Sequence, residues 1–209
     1  MNRPEVLRAG LERARALGFL GPGAVDDHVQ HAEGFAAATR RRLGHDPASL
    51  LDLGSGGGVP GLVLARSWPE IGVALVESGH RRCEHLRMEI ERLGWTGRVE
   101  VIEERAERVA HSSELRERWE LVTARSFASP AATAEIAAGL VAPGGLLVVS
   151  EPPALDPARW PADELGSLGF GPPSYEAVGQ AHFACFVKMH DAPTDVPRGV
   201  GRPGKRPRW

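Results

Sequence analysis

The stretch LLDLGSGGGVPG, residues 50–61, constrains this chain more than any other. A short apolar run, SLLDL, ends in a cluster of glycines and is followed by PGLVLARSW, an apolar segment opened by proline. Strands buried in a parallel sheet read as near-continuous apolar runs, glycine permits a tight turn, and proline is favoured at the first position of a helix. The reading is therefore strand, glycine turn, helix. Such a unit leaves unpaired backbone N–H groups at the helix start, and its glycines let a ligand come close to the backbone. It predicts a cradle for a ligand carrying a negative group.

The same rhythm recurs downstream. GVALVES predicts a second strand, and RRCEHLRMEIERLG a helix with Cys83, Leu86, Ile90 and Leu93 on one face and Gly94 as its stop. RVEVIEE and WELVTARS predict two more strands, PAATAEIAAGL a small-residue helix, and LLVVSE a fifth strand entered through the turn APGG. SYEAVGQ and HFACFVKMH stand too close for a crossover helix, so they predict an antiparallel hairpin. Alternating strands and helices imply a mainly parallel, doubly wound α/β sheet. Ahead of it, residues 2–18 place Val6, Leu7, Leu11 and Ala14 at helical spacing, with Gly18 as a stop. Residues 25–43 predict a second helix, with Asp26 or Asp27 as its cap and Gly44 at its end. The expected division is a helical extension over 1–46, a catalytic domain over 47–190 and a basic tail over 191–209.

At 209 residues the chain is long enough for one substantial core. Its formal charge of −2 gives no global basic field. Lysine is nearly absent, at Lys188 and Lys205 only, while arginine is abundant, a bias that a GC-rich genome explains without any partner. No apolar run approaches the roughly 20 residues that span a bilayer, so no membrane partner is expected. The charged segment MNRPEVLRAGLERARALG lacks the apolar centre of an export signal, and a cytoplasmic place is expected. Cys83 and Cys185 are far apart and without partner spacing, which fits a reducing compartment and argues against a zinc site. No metal is expected, and a monomer is.

The glycine stretch contains two overlapping fingerprints. From Gly56 it reads G-x-G-x-x-G, the dinucleotide pattern; from Asp52 it reads D-x-G-x-G-x-G, the pattern of S-adenosylmethionine (SAM) enzymes. Three features favour SAM. Asp52 stands where an acid orders the loop or receives the cofactor's ammonium. Glu77 closes the second strand, in the expected place for a carboxylate that grips ribose hydroxyls, although that serves NAD equally well. APGG before an apolar strand is the usual entry to the fifth strand of SAM-dependent methyltransferases, whose seven-stranded sheet carries one antiparallel strand near its edge. The fold expected is that of a class I SAM-dependent methyltransferase, Rossmann-like, with an N-terminal helical extension.

Beyond the generic pattern, LLDLGSGGGVPGLVLA resembles the loop of the RsmG or GidB family of bacterial ribosomal RNA methyltransferases, with Ser55 and Pro60-Gly61 as its distinguishing residues. VESGHRRCEHL, ERAERV, VTARSFAS and RGVGRPGKRPRW are similar to further motifs of that family, in order along the chain. The resemblance implies a guanine-N7 methyltransferase of 16S rRNA, acting in the 530 loop of the small ribosomal subunit. By motif, Gly54, Ser55, Gly56 and Gly58 shape the cofactor loop, Glu77 holds the ribose, and Arg105, Ala106 and Glu107 flank the adenine. Arg125 is implied at the end of the fourth strand, beside the transferred methyl group. Its alternative role is to clamp the loops at the strand ends. Other readings of the chain are a methyltransferase of another RNA or a small molecule, and a non-catalytic SAM- or RNA-binding paralogue.

Several residues depart from the family pattern. Glu151, in VVSEPP, stands where the family carries a lysine-glycine, Val59 replaces a bulkier residue, and only His28 echoes an N-terminal helix motif. His28 and His31 are expected to face solvent or cap, and Arg40 to Arg42 to form a solvated helix end or an RNA-phosphate contact. The tail residues Arg198, Arg202, Lys205, Arg206 and Arg208 form the one strongly single-signed segment, and are the candidate RNA contacts. Trp209 is the one tryptophan expected to stack on a base.

Overall fold

The computed structural model describes residues 3–209. The predicted first helix begins at residue 2, which lies outside the described residues. Two helices lead, α1 (Arg3–Ala16) and α2 (Val25–Leu43). Then come β1 (Ser49–Leu53), α3 (Gly61–Ser67), β2 (Gly72–Glu77), α4 (His80–Leu93), β3 (Val99–Glu103), α5 (Ala106–Val109) and β4 (Trp119–Ala124). The second half holds α6 (Pro130–Ala138), β5 (Val141–Glu151), a 3-10 turn (Pro157–Arg159), α7 (Ala162–Ser167), β6 (Ser174–Val178), β7 (Ala181–Val187) and α8 (Arg202–Lys205).

The strands form one sheet in the order β3-β2-β1-β4-β5-β7-β6. All neighbours are parallel except β7, which runs antiparallel to both β5 and β6. The hairpin expected from its short connection is thus present. The chain leaves β1 toward β2 and β3, then returns on the other side of β1 as β4. Between β1 and β4 the winding reverses, and the crevice at their carboxyl ends is where open α/β sheets bind ligands.

Side chains alternate across the sheet with period two. Leu50, Val73, Leu75, Leu121, Leu146, Val148 and Phe183 join a core shared with α1 to α4, whereas Leu51, Leu53, Val76, Val122, Leu147 and Phe186 face α6 and α7. Leu7, Leu11, Val25 and Phe35, from the segment expected as an extension, sit in the first of these cores. Gly34 permits the approach of α2, since a Cβ there would lie 2.8 Å from the Phe183 ring. Phe35 and Phe183 then meet edge to face at 4.6 Å.

Two local expectations are corrected. Asp26 and Asp27 do not cap α2: the N-cap is Ala24, without a side-chain bond. Instead Asp26 accepts a bond from Arg8 at 2.9 Å, tying α1 to α2. APGG does not precede β5 but sits within it: β5 pairs with β4 at Val141 and again at Leu146, with an irregularity between. Gly144 N–H donates across to the Lys188 carbonyl, so the bulged segment remains paired. Among the described residues no helix is long and apolar enough to cross a membrane.

Candidate active site

The loop after β1 is held from beneath by Asp52. Register places Asp52 beside Thr123 of β4, and the Thr123 hydroxyl donates to Oδ1 at 2.8 Å. Gly61 N–H, at the start of α3, donates to Oδ2 at 3.1 Å. Both oxygens are therefore spent inside the protein, and the residue is fully buried. Of the two roles open to Asp52, the geometry supplies the ordering one, pinning both ends of the turn. Burial pushes its carboxyl up to about 6, against the opposing pull of its hydrogen-bond donors and Arg125.

The turn itself runs through Gly54, Gly56 and Gly58, all with positive φ. Ser55 N–H donates to the Val76 carbonyl and its hydroxyl to the Asp52 carbonyl, while Gly58 N–H closes the turn on the Ser55 carbonyl at 2.7 Å. Gly57, left out of the residues expected at the site, is fixed by close approach: a Cβ would stand 2.9 Å from the Phe19 carbonyl oxygen. That contact brings the linker between α1 and α2 against the loop, something no local pattern announces.

Glu77 ends β2 and folds back under the loop. Its Oε2 accepts from Gly56 N–H at 3.1 Å, and its Oε1 from Gly79 N–H at 2.7 Å and Arg82 at 2.9 Å. A cleft of about 570 Å³ opens above, a size suited to a cofactor. Gly54, Ser55, Gly56, Glu77, Arg105, Ala106, Glu107 and Arg125 line it, so the sequence-expected residues are brought together, while Asp52 and Gly58 lie behind the surface as supports.

At one end Arg105 and Glu107 form an ion pair at 2.9 Å. Burial works against the Glu107 carboxylate, but donors from Arg105 and from Gly201 N–H outweigh it and keep its pKa below the usual range. Near the end of β4, Arg125 lies 2.6 Å from Nδ1 of His28. An arginine only donates, so Nδ1 must accept, and the imidazole proton sits on Nε2, facing the Gly21 carbonyl at 3.1 Å. His28 is buried and lines the cleft rather than facing solvent. His31 is half-buried, its ring packed against both Phe35 and Phe183.

The tail departs most from expectation. The Arg198 side chain makes two bonds to the wholly buried Glu135 carboxylate, at 2.8 and 2.6 Å, its backbone N–H adds a third at 2.8 Å, and Arg208 approaches the same group at 3.5 Å. These two cations neutralise a buried charge and are not free contacts. Trp209 donates its indole N–H to the Arg159 carbonyl at 2.9 Å and packs on the core, so it does not stand out as a stacking platform. Gly201, Gly204 and Lys205 form part of the cleft wall, while Arg202 and Arg206 are exposed. Arg40 pairs with Asp46, and Arg41 and Arg42 with Glu176.

Comparison with known proteins adds an independent line. A family model described as rRNA small subunit methyltransferase G matches residues 34–151. A ribosomal RNA small subunit methyltransferase G from Chloroflexus aggregans is 35% identical over 173 residues, covering 77% of this chain and 70% of the relative. That of Rubrobacter xylanophilus is 31% identical, covering 97% of this chain and 80% of its own. Among solved structures, a methyltransferase from Geobacter sulfurreducens superposes with a TM-score of 0.59 at 16% identity, over 89% of each chain, a likeness of fold.

Proposed function

Since the chain belongs to the rRNA small subunit methyltransferase G family and is a SAM-dependent methyltransferase, we propose that it methylates guanine N7 in 16S rRNA of the small ribosomal subunit. The observation that carries this reading is the make-up of the cleft around Arg125. The imidazole beside it has its one lone pair directed at Arg125, and Glu77 and Glu107 are each held by two or more donors. Glu104 is likewise bound by Arg105 N–H and Arg108, so among the described residues lining the cleft no carboxylate or imidazole is poised to take a proton. Guanine N7 carries an in-plane lone pair and no proton, so its methylation needs none taken.

When bound, SAM supplies an electrophilic methyl group on a sulfonium. The residues present fit that cofactor. Gly56 and Gly57 have no side chains to hinder contact with the loop backbone. Glu77 offers about four lone pairs, of which Gly56, Gly79 and Arg82 occupy three. A ribose diol needs two, and Arg82, whose side chain is 45% exposed, is the partner able to yield one. Ala106, between Arg105 and Glu107, gives the adenine a flat apolar neighbour. Arg125 commits one terminal nitrogen to His28 and keeps further donors for the guanine O6 or a nearby phosphate. The chain's work is then alignment, exclusion of water and compensation of charge. A single chain in the cytoplasm is the working unit of this proposal.

The test is transfer of labelled methyl groups to small subunits from a strain that lacks its own enzyme, followed by mapping of the modified base. Label in one guanine of 16S rRNA is expected. Label confined to another RNA, or to another base, would overturn the assignment.

A further inference from the structure

Beyond the segment 126–128 lies a second cleft, of about 330 Å³. Ser126, Phe127 and Ala128 line both cavities, so this short segment borders each of them. The second cleft opens at the carboxyl ends of β4 and β5. Its lining is more polar than apolar, with Ser126, Ser150 and Glu151 beside Phe127 and Trp160, and among the described residues it carries one cation, Arg159.

Arg159 is held from two directions. Its backbone carbonyl accepts the Trp209 indole N–H at 2.9 Å. Its Nε donates to Oε2 of Glu151 at 2.9 Å, while Oε1 of Glu151 accepts the Trp160 indole N–H at 3.1 Å. The Glu151 side chain is wholly buried, and that of Arg159 is 35% exposed. The buried carboxylate binds the guanidinium at Nε alone and anchors the head group there. The two terminal nitrogens of Arg159 have no hydrogen-bond partner among the described residues. Arg198 differs, because there Nε and one terminal nitrogen together hold Glu135. The acid at the end of β5 is thus not a loss of positive charge at this place, since it anchors a cation supplied eight positions later.

We propose that the second cleft receives an RNA nucleotide next to the one methylated and that Arg159, anchored by Glu151, holds a phosphate beside it. The proposal rests on the reading of the chain as an rRNA methyltransferase. The Phe127 ring in the lining suits the face of a base, and the partly exposed Arg159 fork suits the planar donors-to-oxygens match of a phosphate. Glu151 is then a positioning residue that touches no RNA.

The test compares Arg159→Ala, Arg159→Lys and the double variant Arg159→Ala with Glu151→Gln, all in the full chain. Affinity for small-subunit RNA is measured across a salt series, with SAM affinity by calorimetry and melting temperature alongside. Arg159→Ala strands a buried carboxylate and lowers the melting temperature; Glu151→Gln in the double variant removes that charge, keeps the Trp160 acceptor and restores it. Both variants lacking the arginine are expected to bind RNA about tenfold more weakly, with the slope of log affinity against log salt reduced by about one, and with SAM affinity unchanged. Arg159→Lys retains the slope and loses part of the affinity. Recovery of RNA affinity and slope in the double variant would make the pair a brace and overturn the proposal, as would wild-type RNA binding by both. If the unaltered protein methylates no rRNA, the family-based reading falls first and takes this one with it. If it does methylate and the variants bind as it does, only the role of Arg159 falls.

Discussion

At the scale of single residues, Asp52 connects sequence to function most directly. Its carboxyl is pushed up to about 6 from an ordinary value of 3.8. Between those limits the native protein keeps a proton that the unfolded chain has released. Stability from this group is therefore complete below about pH 4 and is lost as pH rises through about 6, a swing on the order of 2–3 kcal/mol. Asp52→Asn keeps both contacts, its amide oxygen accepting from Gly61 and its NH2 donating to Thr123. Urea denaturation should show the variant gaining on the wild type by that amount between about pH 4 and pH 8; an unchanged difference would refute the assignment. A second pair of substitutions separates binding from transfer. Glu77→Ala should weaken SAM binding about tenfold or more by calorimetry. Arg125→Ala should leave it nearly unchanged and slow methyl transfer about a hundredfold. Equal SAM affinity in both variants would take Glu77 out of the cofactor site. Glu77 and Arg125 were legible because each closes a strand next to a recognisable pattern. His28 was not, because it meets Arg125 across 97 positions of chain, and a histidine on a helix carries no sign of that partner.

At the scale of elements, the long strands and helices follow from apolar periodicity, and so does the β6–β7 hairpin. The one-turn and two-turn pieces, α5, α7 and α8, were invisible, because four to six residues show no period. The tail, expected to be loose or docked, is docked, and its partner was hidden for a related physical reason. A run of arginine, proline and glycine reads as solvated unless its partner is known, and the partner is Glu135, a lone acid in the otherwise small and apolar α6. Burial alone would raise the Glu135 pKa, but bonds and charge from Arg198 and Arg208 keep it low, so it stays ionised. Arg198→Ala should cost on the order of 2–3 kcal/mol, below the full penalty for a stranded buried charge because Arg208 remains. A fall in melting temperature of about 5–10 °C is the expected readout. Removing residues 198–209 also strips Glu107 of the Gly201 donor and takes Lys205 from the cleft wall, so SAM affinity should drop together with stability. A truncated chain with unaltered melting and SAM binding would show the tail to be passive.

At the scale of the whole molecule, the strand order places the loop, Glu77 and Arg125 at one end of the sheet, where the winding reverses between β1 and β4. This much was legible, since strand–turn–helix repeats with a closing hairpin admit few topologies. The packing of α1 and α2 was not, because an amphipathic helix does not say which sheet face it covers. Here their apolar faces complete the core beneath β1, β5 and β7, and their linker becomes a wall of the cofactor cleft. The cofactor cleft is consequently built from residues spread from Gly18 to Lys205. The central claim is that this assembly transfers a methyl group to guanine N7 without proton abstraction. The most direct test is single-turnover transfer to two otherwise identical small-subunit RNAs, one of them carrying 7-deazaguanine at the mapped position. The account predicts full labelling of the natural RNA, none of the deaza RNA, and equal binding of both. Labelling of the deaza RNA at that nucleotide would contradict it.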